Sequence, residues 1–176
     1  MEDNIQKAAT LDGEVPSHEI FNQLVQAFAE KSKDVFRSYL YAEECKKVQN
    51  EEFYNLFLEI SNDEKDEAIK LLEMTNMAKY DGCLWGNPKP VYNYSVHKKA
   101  SPGQLKYVAE WKSSNCAKMY PQLVELVLAE KIRVPGYNDS LTIIANQLND
   151  IIAIEKKHIE RINKVLDTLN SEDATQ

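Results

Sequence analysis

Glycine and proline are scarce, five and six in 176 residues, too few turn-formers for the many short strands of a β-sandwich or barrel. Cysteine is rarer still. Cys45, Cys83 and Cys116 are odd in number and scattered, with no Cys-x-x-Cys pair, so neither a zinc ribbon nor a disulfide framework is suggested and a reducing cytoplasm is the expected setting. No apolar run approaches the roughly 20 residues that span a bilayer. Met1 to Pro16 has neither a basic n-region nor an apolar h-region, so neither membrane insertion nor export is expected. Basic residues are outnumbered 21 to 28, and the net charge of −7 repels phosphate backbones, which argues against nucleic acid as a partner. Gly-rich phosphate loops and nucleophile elbows are missing too.

What remains is the balance of a folded helical protein, 43% hydrophobic and 28% charged, in a chain long enough for one domain. Residues 1–16 and 171–176 lack periodicity and are expected to fray. Between them the chain divides into four helical stretches. Ser17 can cap a first helix over about 17–49, with Phe21, Leu24, Phe28, Val35 and Tyr39 spaced as one buried stripe. Asn50 reads as the cap of a second over about 50–79, whose stripe is Phe53, Phe57, Ile60, Glu64, Glu67 and Leu71. Residues 80–100 hold helix breakers and the aromatics Trp85, Tyr92 and Tyr94, the text of a long packed crossover.

Ser101-Pro102-Gly103-Gln104 is a strong start signal for a third helix over about 102–132. Its stripe is Leu105, Val108, Lys112, Asn115, Met119, Leu123 and Leu126, with a kink expected at Pro121. A fourth helix, about 139–170, presents Ile144, Leu148, Ile151, Glu155, His158, Ile162, Val165 and Leu169. Short links inside each pair and a long link in the middle match the crossover plan of ferritin-like four-helix bundles.

Glu64 and Glu67 on helix two, and Glu155 and His158 on helix four, sit at i, i+3 on the apolar faces. Buried ionisable groups imply a metal, a cationic partner or a helix turned to expose them. The di-iron template of bundle cores takes Glu-x-x-His from two helices and one Glu from each of the others, and Glu155-Lys156-Lys157-His158 fits it.

The segments Ala27-Phe28-Ala29, Asn62-Asp63-Glu64-Lys65, Lys118-Met119-Tyr120-Pro121 and Glu155-Lys156-Lys157-His158-Ile159-Glu160-Arg161 resemble rubrerythrins in order and separation, over roughly residues 17–170. The resemblance implies a ferritin-like fold, a di-iron centre and peroxide reduction. It also brings departures. The rubredoxin module with its paired Cys-x-x-Cys sites has no counterpart, and the ligand positions it implies fall on Lys31, Glu64, Glu67, Lys112 and Asn115, with only Glu155 and His158 unchanged. Lysine has donors and no lone pair at neutral pH, so the expectation is a salt-bridged core with the di-iron centre lost or reduced, in a protein of binding, structural or regulatory role.

Alternatives stay open at this level. Lys31 could turn outwards in favour of Ser32, or a one-residue shift could bring in Glu30. Glu64, Glu67, Glu155 and His158 could hold a single Fe, Mn or Zn ion, and an active iron oxidoreductase using peroxide or dioxygen is the competing reading. A homodimer is expected through Phe36, Tyr41 and Tyr54, which lie off the main stripes. His18 and His97 read as surface residues, Cys116 as a core thiol, and Trp111 as an anchor for the crossover.

Overall fold

The computed structural model describes residues 18–78 and 102–173. The readings made for residues 1–17, for the crossover 80–100 with Cys83, Trp85, Tyr92, Tyr94 and His97, and for 174–176 lie outside the described residues. Among those described there is no strand: the chain forms four helical rods.

The first rod is α1 (His18–Lys47) and the second α2 (Glu51–Met77). Between them Gln49 takes φ 58, and Asn50 caps α2 by accepting a 3.0 Å hydrogen bond from the Phe53 amide. The third rod is broken into α3 (Pro102–Ser114), a π turn (Asn115–Met119) and α4 (Tyr120–Arg133). Pro135–Tyr137 then makes one 3-10 turn before α5 (Asn138–Asp173), which continues through residues expected to fray.

The sequence spacing foretold α2 fully, since Phe53, Phe57, Ile60, Glu64, Glu67 and Leu71 are all buried. In α1 the expected Phe21 and Leu24 are buried, but beyond them the inward line runs through Ala27, Lys31, Asp34, Ser38, Tyr41 and Cys45. The large apolar residues mislead here: Phe28 and Val35 are only half-buried beside that line. Tyr39, expected inside, is 45% exposed, and Tyr41, expected on a dimer surface, is 3% exposed. Tyr41 packs its ring 5.3 Å from that of Phe57 and offers nothing to a partner.

The expected kink near Pro121 takes the form of the π turn. Proline has no N–H to donate, and just before it the Tyr120 amide bonds to the Asn115 carbonyl, five residues back. That wider turn shifts the stripe by one residue. Lys112 is followed inward by Cys116, Tyr120, Leu123 and Val127, while Asn115 and Met119 are left half-buried.

Two apolar clusters lie at opposite ends of the bundle. One gathers Leu24 of α1, Met74 of α2, Val127 of α4 and Ile144 of α5; the other gathers Tyr41, Phe57, Leu105 and Ile162. The end of α2 and the end of α4 therefore share one pole, and the starts of α2 and α3 share the other. The second and third rods run in the same direction, so Ala78 and Pro102 sit at opposite poles, as a crossover between them requires. Between the clusters lies a belt of buried charge.

Candidate functional site

All four rods contribute to that belt. Lys31 and Asp34 come from α1, Glu64 and Glu67 from α2, Lys112 from α3, and Glu155 and His158 from α5. Each occupies a stripe position that its helix points at the core, which is why Lys31 and Glu155, 124 positions apart in sequence, meet. Lys31 is 2% exposed, whereas Ser32 is exposed and Glu30 pairs with Lys33 at 2.7 Å. The register that turns Lys31 inward is the one adopted.

Lys31 Nζ lies 2.8 Å from Glu64 Oε2 and 2.5 Å from Glu67 Oε2, and donates to Glu155 Oε1. Its ammonium also sits 5.8 Å from the centre of the Tyr120 ring. Lys112 Nζ donates to Glu64 Oε1 and contacts Glu155 at 2.9 Å (Oε2) and 3.1 Å (Oε1). The two ammonium groups thus bridge Glu64 and Glu155 from either side, and only Lys31 reaches Glu67. Neither oxygen of Glu67 accepts a directed hydrogen bond.

The electrostatics follow from burial set against these contacts. Burial works to lower the Lys31 and Lys112 ammonium groups, but the surrounding carboxylates outweigh it and raise both above the ordinary lysine value. Burial likewise opposes ionisation of Glu155, yet two ammonium neighbours hold it down at about 2. Glu67 has one ammonium neighbour and two carboxylates nearby, and burial dominates, pushing it up to about 8. At neutral pH Glu67 therefore keeps its proton, while Glu155 faces the Lys31 and Lys112 ammonium groups as a carboxylate. Burial also raises the Cys116 thiol to about 11, the state of an unreactive core cysteine.

Three members escaped the sequence reading. Asp34 follows Lys31 by three positions on the same face; burial and the Glu64 charge push it up to about 6. Its carboxylate accepts from Arg37 at 3.0 Å and from Trp111 Nε1 at 3.4 Å, so Trp111 anchors to the belt. Asp63 contacts His158 Nε2 at 2.8 Å. Tyr120 enters through the π turn, which also moves Asn115 out of the belt and into a surface groove of about 320 Å³ with Gln23, Gln26 and Lys118. The i, i+3 spacing could have drawn attention to Asp34; nothing in the stripe pattern revealed the π turn.

His158 is buried, and burial together with the Lys112 charge lowers it below the ordinary histidine value, with Asp63 only partly offsetting this. Its Nδ1 is buried without a hydrogen-bond partner. Glu64, Glu155 and His158 can each bring one ligand atom within 4.8 Å of the others, a spacing that one divalent ion could bridge. A pair of ions fits poorly. The implied ligand positions on α1 and α3 carry Lys31 and Lys112, whose ammonium groups donate to the very carboxylates that would bind metal.

Neither a scan against protein-family models nor a search of curated proteins finds a match to this chain.

Proposed function

We propose that this chain is a divergent rubrerythrin-like protein of ferritin-like fold that has exchanged di-iron chemistry for a structural or binding role in the cytoplasm. The observation that carries the reading is the pair of lysine ammonium groups set among Glu64, Glu67 and Glu155. They supply the positive charge that metal ions give such a cluster, so the four rods are tied together without a cofactor. Peroxide or dioxygen reduction at two irons needs bridging carboxylates, and lysine supplies none at residues 31 and 112.

A second reading is one divalent Fe, Mn or Zn ion held by Glu64, Glu155 and His158. The bare Nδ1 of His158 and the spacing of the three side chains favour it. Metal analysis of protein purified without chelator, followed by anaerobic Fe(II) loading and exposure to air, separates the cases. The expected result is well under one iron per chain and no oxo-bridged absorption. Two tightly bound irons per chain would overturn the principal reading, and one would favour the second.

A further inference from the structure

The two lysines are not equivalent. Lys31 contacts Glu67 as well as Glu64 and Glu155, whereas Lys112 contacts only Glu64 and Glu155. Those are the two carboxylates of the three-residue group that could hold one ion, and on the third member, His158, Lys112 is the strongest neighbouring charge after burial itself. Lys112 Nζ therefore occupies the position from which a cation would reach both Glu64 Oε1 and Glu155 Oε2.

We infer that Lys112 is a built-in competitor that excludes divalent metal from a latent mononuclear site formed by Glu64, Glu155 and His158. This rests on the metal-free reading proposed above and adds which residue enforces it. Three observations converge. The ligand set is mixed carboxylate and imidazole, suited to Zn(II) or Co(II). His158 Nδ1 is buried and has no partner, while Asp63 holds Nε2 at 2.8 Å; with Nε2 protonated and donating to Asp63, Nδ1 carries a free lone pair. Lys31 stays in place, so removal of Lys112 alone leaves Glu64 and Glu155 with one cationic neighbour fewer and a net pull on a dication. Glu67 is not part of the converging group Glu64, Glu155 and His158 and instead contacts Lys31.

The test uses the full chain and Co(II) or Zn(II) as probes, for the wild type, Lys112→Met and Lys112→Gln. Visible absorption of Co(II) reports inner-sphere ligation, and calorimetry with Zn(II) gives affinity. Taking away the unit positive charge that stands where the ion would bind should tighten binding on the order of 100-fold or more. The expected outcome is one Co(II) per chain with ligand-field bands in Lys112→Met, bands absent in the wild type, and their loss when His158→Phe is added. Zn(II) should also raise the melting temperature of Lys112→Met and leave the wild type unmoved. If Lys112→Met does not fold alone, Lys112→Gln retains a neutral side chain of similar length, and refolding either variant with Co(II) present gives the same readout. A folded Lys112 variant that binds no better than a metal-free wild type overturns the competitor role and leaves the metal-free reading standing. Tight stoichiometric binding by the wild type overturns both.

Discussion

At the scale of single residues, the belt makes opposite claims on its members. Lys112 is 3% exposed and bridges two carboxylates from different helices. Replacing it by methionine leaves negative charge buried without its partner, a loss of about 3–5 kcal/mol in a denaturant melt at neutral pH without metal; a change within about 0.5 kcal/mol would place Lys112 outside the network. Glu67 behaves in reverse. Its proton is kept up to about 8 in the folded state, whereas the unfolded chain releases it near 4.5. Between those values the folded protein binds more protons, so stability falls as pH rises, with a limiting slope of about 1.4 kcal/mol per pH unit. Asp34 acts the same way but only up to about 6. Glu155, held low, matters only below its ordinary 4.5, and His158, lowered from 6.5, costs stability only on acidification. From pH 6.5 to 8 the decline therefore belongs to Glu67. Urea melts across that window should show it in the wild type, and Glu67→Gln should flatten it.

At the scale of elements, legibility depended on whether side-chain size and helix geometry agreed. In α2 they agree, and the apolar spacing located Glu64 and Glu67 correctly. In α1 the bulky Phe28, Val35 and Tyr39 outweighed the small Ala27 and Ser38 in the pattern, although the small residues lie on the inward line that carries Lys31 and Asp34. Sequence spacing cannot distinguish lines one residue apart when both contain apolar groups. In the third rod the sequence signals a kink at Pro121 but gives no sign of a change of register, and the π turn supplies one, so Cys116 and Tyr120 replace Asn115 and Met119. The α1–α2 turn carries its own strain, because Gln49 holds φ 58. Gln49→Gly should relieve it and raise stability by about 0.5–1 kcal/mol, read as a higher urea midpoint with unchanged slope; a loss would mean that the side chain contributes contacts worth more than the strain.

At the scale of the whole molecule, the belt separates two apolar clusters, and no described helix is long and apolar enough to cross a membrane. On the metal-free reading proposed above, the melting temperature should be unchanged by EDTA and by iron starvation during expression. A chelator-induced drop of several degrees would point to a resident metal.

The parallel run of the second and third rods has one more consequence. The chain consists of two helical pairs, each closed locally, and each contributes one lysine to the other pair's acid: Lys31 reaches Glu155, and Lys112 reaches Glu64. Each lysine also pairs with acids of its own half, Lys31 with Glu64 and Glu67 and Lys112 with Glu155, so the ion pairs run both within and across the halves; each half leaves an apolar face open, and the two should act as complementary halves. Fragments separated within residues 79–101 should be poorly structured alone and regain helical circular dichroism and a cooperative melt when mixed one to one. A Lys31→Glu first half should fail to rescue a wild-type second half, and Glu155→Lys in that second half should restore part of the association.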